Sequence, residues 1–406
     1  MQEFKVPSSK SISNRLLIIK YLSQSKEEIH NLSIADDTVL MQKFIWQLNE
    51  YDKGINKTSN SKFFCHNAGT VIRFLISLLA FKEGIWRIDG DKRMRERPIE
   101  PLLNVLTELG AEIKFAKGSL NKLPIEITGS IKKGTGIIQV DSSYSSQFIS
   151  SLLLVGPYLK GGLNIEMIGN IVSKGYIDMT ISLMKRFGVK IKKNNNRINV
   201  KYSPYIFKET SVTSDWSSAC FAYEKLSLMK EGELFLRNFS IYTIQPDSIA
   251  KDFFSHLGVK SEFSEDILIL KYDKTLISLD SKIFDISNCP DIFPPLAVSS
   301  LFSGKKICFV GLESLKHKES NRIKAMFEGL KAIGGNVYIE NDKFIIDGFL
   351  NIDILEKESQ DIIIKTYDDH RIAMAFGIVG FKYKKIKVDN RDCVSKSFPL
   401  FWENLI

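Results

Sequence analysis

An α/β fold assembled from repeated units is the class this sequence predicts, and two observations predict it. The first is one local pattern that recurs: an amphipathic helix, a glycine stop, then a short alternating strand. It reads Leu109-Gly110-Ala111-Glu112-Ile113, Phe187-Gly188-Val189-Lys190-Ile191, Leu257-Gly258-Val259-Lys260 and Ile333-Gly334-Gly335-Asn336-Val337. The glycines are spaced by 78, 70 and 76 residues, too long a period for a short-repeat solenoid. The second is composition. With 406 residues, 44% hydrophobic and 25% charged, the chain has the make-up of a globular protein of two or three domains.

Each element has its own warrant. Ile99, Leu102, Leu103, Leu106 and Leu109 recur at helical spacing, as do Ile323, Met326, Phe327, Leu330 and Ile333. A glycine past the last turn suits a left-handed C-cap that releases the chain into a strand. Basic residues alternating with Ile191, Ile198 and Val200 around Asn194-Asn195-Asn196 predict a hairpin. No apolar run reaches the ~18 residues of a membrane span, and no signal-peptide core precedes Pro7. Five cysteines, never in a CxxC pair, fit reduced thiols and a cytoplasmic location.

The 56 Lys and Arg exceed the 47 Asp and Glu, giving a formal charge of +9 and raising the question of which anion is served. Eight basic residues and no acidic one lie between Met179 and Lys208, a strip that could grip nucleic acid. A solvated hairpin explains them as well, since no aromatic stacking partners interleave.

Other cations sit in compact polar motifs. Pro7-Ser8-Ser9-Lys10-Ser11-Ile12-Ser13-Asn14-Arg15 opens a helix, where free amides attract anions; a cap with surface charges reads equally well. Asn67-Ala68-Gly69-Thr70-Val71-Ile72-Arg73 has the same logic, with Gly69 allowing close approach to the backbone. Arg93, Arg95 and Arg97 precede a helix whose first residue is expected to be Pro98. Ser145-Ser146-Gln147 and Ser217-Ser218 can both be plain caps, and Ser-Ser-Gln also offers neutral hydrogen bonds suited to a polyhydroxylated ligand. Lys318-Glu319-Ser320-Asn321-Arg322 is expected to begin a helix with Lys318 and Arg322 on one face. Asp368-Asp369-His370-Arg371 caps another, and both clusters can equally be surface ion pairs. The five histidines form no HxxxH pair, and there is no GxxxxGK[ST], GxGxxG or GxSxG. No metal or nucleotide cofactor is expected.

Taken in order, PSSKSISNR, ADDT (35–38), NAGTVIR, RMRERPI, SSQF, VSKGYIDMT (172–180), SDWSSA (214–219), CPD (289–291), KESNR, YDDHRIAMAF and SKSFP (395–399) resemble one enolpyruvyl transferase family almost end to end. It is the 3-phosphoshikimate 1-carboxyvinyltransferases, or 5-enolpyruvylshikimate-3-phosphate synthases. There are departures. Ser8 stands where the family usually has Gly, Asn321 where it has Asp, and Ser314 where some members use Asn for the shikimate phosphate.

The resemblance implies a two-lobed inside-out α/β barrel, each lobe of three βαβαββ units with buried helices and outer sheets. Residues 9–213 would form the first-built lobe, and 1–8 with 214–406 the second, with the active site in the cleft. The implied reaction joins the 5-hydroxyl of shikimate 3-phosphate to C2 of phosphoenolpyruvate and expels phosphate. By the family pattern Asp291, Glu319 and Lys10 are catalytic. Shikimate 3-phosphate would be held by Lys10, Ser11, Arg15, Ser145, Ser146, Gln147, Ser173, Tyr176, Asp291 and Lys318. Phosphoenolpyruvate would meet Lys10, Asn67, Gly69, Thr70, Arg97, Gln147, Arg322, His370, Arg371 and Lys396. No cofactor is implied, and the partners are these two small molecules, without nucleic acid or membrane, for a monomer. UDP-N-acetylglucosamine enolpyruvyl transferases resemble the same reaction but generally carry a reactive loop cysteine. No cysteine lies between His66 and Ala219.

Overall fold

The computed structural model describes residues 2–55, 57–116, 121–134, 136–277, 281–350 and 360–405. The chain divides into two compact units, Lys10–Val212 and Met1–Ser9 with Thr213–Ile406.

In the first unit, strands Lys62–Phe64, Gly84–Asp89, Ile125–Gly129 and Glu112–Phe115 lie side by side in that order. The first pair is parallel and the other two antiparallel. Chain order explains this: a parallel pair needs a crossover, here helix Gly69–Phe81, whereas the last two strands form a hairpin. Strands Ile137–Asp141, Leu163–Ile168, Arg197–Val200 and Ile191–Asn194 repeat the arrangement, as do their directions. A third sheet is only a parallel pair, Thr210–Ser211 with Ile29–His30.

The second unit uses the same plan. Gln2–Glu3, Glu233–Leu236, Ile267–Tyr272 and Val259–Ser264 form one sheet, and Lys282–Asp285, Ile307–Val310, Lys343–Leu350 and Gly335–Glu340 another. Ile362–Ile364 pairs in parallel with Ile386–Val388 across helix His370–Lys382. Among the described residues, then, two of the three units per lobe are complete and the third is reduced to its parallel pair. The four repeat glycines, Gly110, Gly188, Gly258 and Gly334, all have φ between +84° and +102°, as the C-cap reading requires.

Helices occupy the middle of each unit and the sheets cover them. Gly69–Phe81 and Phe293–Phe302 are apolar nearly all round and almost wholly buried, as helices without a polar face must be. The sheets bury one face only, so strand Leu163–Ile168 turns Leu163, Ile165 and Met167 inward while Ile85, Ile137 and Ile283 face out. Equivalent hydroxyl pairs tie the central helices: Ser77 to Ser151 and Ser227 to Ser299, each 2.8 Å.

Two sequence expectations need correction. The helix after the arginine cluster is Glu100–Glu108, capped by Ile99 with Pro101 in its first turn, so Pro98 lies outside it. Residues Lys92–Glu96 form a short helix of their own, capped by Asp91. The second helix starts at Arg322, where the Asn321 side chain accepts from the Lys324 amide at 3.2 Å. Lys318 therefore precedes the helix and shares no helical face with Arg322. Asn caps as an Asp would, because the cap needs only a side-chain oxygen. The basic hairpin forms as expected from Ile191–Asn194 and Arg197–Val200, with Lys193 paired to Asp178 and Arg197 to Glu166.

Two energetic consequences follow. Gly110 has open space where a Cβ would stand, so Gly110→Ala should cost only the backbone term of about 1–2 kcal/mol, read as a lower urea midpoint at unchanged m. A loss under 0.5 kcal/mol would refute the cap's role. Glu224, 0% exposed on helix Trp216–Met229, has no hydrogen-bond partner for either carboxyl oxygen among the described residues. Burial raises its pKa well above the ordinary 4.5. The folded state thus holds a proton that the unfolded chain releases, so stability is full below 4.5 and falls as pH rises through the higher folded value. Glu224→Leu should stabilise by about 1–3 kcal/mol at neutral pH and by less at pH 4, by denaturant titration. Destabilisation at neutral pH would show that the carboxyl is satisfied.

Candidate active site

In the Lys10–Val212 unit, Lys10 is the first residue of helix Lys10–Ser23 and its ammonium meets Asp37 at 2.9 Å. Asp37 belongs to the ADDT motif and is the second residue of the next helix, Asp36–Asp52. One turn on, Arg15 is 2% exposed and lies over the Phe74 ring. Its Nε donates to Thr180 Oγ1 at 2.7 Å and its Nη1 to the Ser11 carbonyl at 2.8 Å. Nη2 reaches Ser150 Oγ and the Tyr176 carbonyl, each at 3.4 Å. All these acceptors are neutral. Burial lowers the guanidinium to about 10, so it stays charged at neutral pH. Ser173 caps helix Lys174–Arg186 in a left-handed conformation, φ +53°, and its carbonyl accepts the Tyr176 amide.

A second group of the same unit gathers the Asn67–Arg73 motif, Arg97 and Ser145–Gln147. Gly69 opens helix Gly69–Phe81, and a Cβ there would stand 2.6 Å from Arg97 Nη2. Glycine is what lets the Arg97 guanidinium lie against this helix start, where its Nη1 donates to the Asn67 carbonyl and side-chain oxygens at 3.2 and 3.1 Å. Ser145 caps helix Ser146–Val155 by accepting the Gln147 amide. The Gln147 side chain then spans two helices, donating to Thr70 at 2.8 Å and accepting from Arg73 Nη1 at 2.6 Å. Arg73 also donates to the Pro98 carbonyl at 3.1 Å and covers the Phe148 ring. Arg97 and Arg15, like Lys10, are thereby fixed in place, but only Lys10 of these three is paired with a carboxylate among the described residues.

The other unit is arranged differently. Asp291, in the 3-10 turn Pro290–Ile292, accepts from Arg322 Nη1 at 2.7 Å, Lys318 Nζ at 3.1 Å and Arg371 Nη2 at 3.2 Å. Arg322, 1% exposed, also donates to Glu319 at 2.9 Å and to Asp369 at 2.8 and 3.2 Å. Asp369 in turn caps helix His370–Lys382 and accepts from Ser320 at 2.9 Å. Burial pushes Asp291 up, but Arg371, Lys318 and Arg322 outweigh it and hold the carboxyl well below its usual range. Lys318 is lowered by burial, against the opposing pull of Asp291. Lys318, Glu319, Ser320 and Arg322 of one cluster and Asp369 and Arg371 of the other thus join Asp291 in one largely buried network rather than a surface ion pair. Asp368, by contrast, is exposed and accepts from Asn390 at 2.7 Å. His370 is the first residue of its helix, and half-buried Lys396 closes the 3-10 helix Asp392–Lys396.

Among the described residues no group of His, Cys, Asp and Glu could hold a metal ion, and no helix is long and apolar enough to cross a membrane. Sequence reasoning missed Asp37, Thr180, Ser150 and Asp369 as partners of the cations. Asp37, Thr180 and Asp369 lie inside motifs already singled out, but nothing in a linear pattern says which cation each will meet.

The family model of EPSP synthase (3-phosphoshikimate 1-carboxyvinyltransferase) matches residues 2–405. A 3-phosphoshikimate 1-carboxyvinyltransferase of Bacteroides fragilis is 38% identical over 404 residues, 99% of this chain and 93% of that protein. One of Buchnera aphidicola is 33% identical over 424 residues, with the same coverage. The solved structure of EPSP synthase from Acinetobacter baumannii superposes with a TM-score of 0.72 at 21% identity, covering 99% of this chain and 94% of that one, a likeness of fold. With its α/β units, its motifs in order and its sequence matched from end to end, this chain belongs to the EPSP synthase family.

Proposed function

We propose that the chain transfers the enolpyruvyl group of phosphoenolpyruvate to the 5-hydroxyl of shikimate 3-phosphate and releases phosphate, a step of aromatic amino acid biosynthesis. The observation that carries this reading is the contrast between the two clusters. Arg15 and Arg97 keep charges that only neutral groups solvate, whereas Asp291 and Glu319 lie in a network rich in both acids and bases. The reaction needs both kinds of site. Its substrates together carry about −5 to −6, and two unit charges 4 Å apart repel by roughly 4 kcal/mol at an effective dielectric near 20. Fixed cations offset that repulsion.

The chemistry also moves protons. The 5-oxygen attacks C2 while C3 gains a proton; phosphate then leaves as C3 loses one and the methylene is restored. In this reading Asp291 accepts the hydroxyl proton, Glu319 serves C3 and Lys10 assists at the phosphate. Ser11, Arg15, Ser145, Ser146, Gln147, Ser173, Tyr176 and Lys318 bind shikimate 3-phosphate. Asn67, Gly69, Thr70, Arg97, Gln147, Arg322, His370, Arg371 and Lys396 bind phosphoenolpyruvate. The positions of Lys318 and Arg371 on Asp291 support the assignment, since incoming phosphates compete for those cations and so free the carboxylate to act as a base. We take the enzyme to act as a cytoplasmic monomer, a reading that rests on its five free cysteines for the compartment.

Purified protein should release phosphate only with shikimate 3-phosphate and phosphoenolpyruvate together, without added metal or nucleotide. Release with UDP-N-acetylglucosamine in place of shikimate 3-phosphate would overturn the assignment. Asp291→Asn keeps the size and removes the proton acceptor, so turnover should fall ~10²–10⁴-fold while circular dichroism shows folded protein at the assay temperature. Glu319→Gln should lose turnover likewise and should also slow solvent deuterium entry into the C3 methylene of phosphoenolpyruvate. Near-normal turnover in either variant removes that residue from the mechanism.

A further inference from the structure

Ser217 and Ser218 stand out in the sequence, yet the scheme above gives them no task. Ser218 is a cap partner: Asp215 accepts its amide at 2.9 Å and its hydroxyl at 2.8 Å. Ser217 instead donates its hydroxyl to Asp247, a carboxyl 1% exposed in the 3-10 turn Pro246–Ile249. The neighbouring Gln245 fastens that turn to the same helix start. Its side-chain oxygen accepts the Trp216 amide at 3.0 Å, and its amide donates to the Ser214 carbonyl at 2.8 Å. Asp247 is therefore fastened to helix Trp216–Met229. The Pro290–Ile292 turn that carries Asp291 and the helix His370–Lys382 that carries Arg371 pack against that same helix. Asp291 acts on it from the Pro290–Ile292 turn, Arg371 from helix His370–Lys382, and Asp215 from the cap of helix Trp216–Met229. Two buried thiols, Cys220 and Cys289, also lie within electrostatic reach of it. Both carboxylates follow a proline in a 3-10 turn, Pro246-Asp247 and Pro290-Asp291.

We propose that Asp247 is a positioning residue for Asp291: its negative charge, fixed by Ser217, works against Arg371, Lys318 and Arg322 and keeps Asp291 able to accept the 5-hydroxyl proton. The inference rests on the reading of Asp291 as that acceptor. Three cations around one carboxylate make it a poor base, and Glu319 already works against them. Asp247, which Asp291 pushes up, is a further anion that does so, because repulsion between two carboxylates is mutual. Burial first, and Asp291 next, push Asp247 up to about 6, while the Ser217 hydrogen bond and Arg371 pull it down. Near pH 6, then, Asp247 passes from neutral to charged and Asp291 gains basicity. The charge on Asp247 acts through Asp291 and needs no contact with substrate.

The test is the ratio of wild-type to Asp247→Asn kcat/KM for shikimate 3-phosphate between pH 5 and pH 9. Substrate phosphates also ionise near 6, but they are common to both enzymes and cancel in the ratio. The ratio should stay near 1 at pH 5, where wild-type Asp247 is neutral, and rise about 3- to 10-fold by pH 8, as loss of one unit of basicity allows. Ser217→Ala keeps the charge but removes a bond that favours it, so its rate should rise with pH along the same curve displaced upward in pH. That variant carries the test if Asp247→Asn does not fold. A ratio constant with pH, or a Ser217→Ala midpoint equal to wild type, overturns the proposal even when Asp291→Asn is inactive. Normal turnover in Asp291→Asn would instead overturn the reading beneath it.

Discussion

A guanidinium sealed from water must have its lost hydration replaced, and for Arg322 three carboxylates replace it. Asp291, Glu319 and Asp369 come from three separate segments and converge on one side chain. Losing a single partner from such a group leaves a buried charge uncompensated, at a cost of about 3–5 kcal/mol. That penalty fixes the Pro290–Ile292 turn, the Lys318–Ser320 stretch and the start of helix His370–Lys382 in mutual register. Buried ion pairs contribute little net stability compared with apolar packing, so the network is better understood as a device for placement. The carboxylates of the proposed proton transfers are held because the fold cannot tolerate Arg322 alone.

The Lys10–Val212 unit solves the opposite problem. Arg15 and Arg97 are buried but solvated by hydroxyls, carbonyls and an amide, which hold a cation in position without cancelling its charge. Such a site is prepared for an anion, because the desolvation has already been met by folding and the attraction is left for the ligand. Gly69 serves the same end by letting a guanidinium lie where a methyl group would stand. Neutral solvation in one unit thus contrasts with neutralising pairs in the other.

The duplicated architecture makes both arrangements possible. Placing helices in the centre and sheets outside sends helix N-termini, rather than strand edges, to the positions where the motifs fall. Lys10, Gly69, Ser146, Arg322 and His370 each stand first in their helices. Free amides and the helix dipole favour anions there. The central helices carry almost no polar surface, and the paired hydroxyls Ser77–Ser151 and Ser227–Ser299 recur at matching places in the two units. Glu224 breaks that pattern, a buried carboxyl without a hydrogen-bond partner among the described residues.

Local features were legible from the sequence because they depend on neighbours in the chain. Helical periodicity, the glycine C-caps and the Asn195-Asn196 hairpin turn each follow from residues within one or two turns, and the motifs in order pointed to the family. Even so, the two misplaced helix starts show the limit: Pro98 and Lys318 look like first-turn residues, but the backbone turns in only after Ile99 and Asn321. Tertiary structure alone decided the pairings. Lys10 with Asp37, Arg15 with Thr180, Arg322 with Asp369 and Ser217 with Asp247 are separated by 27, 165, 47 and 30 residues. A charged side chain in a linear sequence has many equivalent partners. Only packing, by excluding water and fixing which helix ends meet, makes one of them cheaper than all the others.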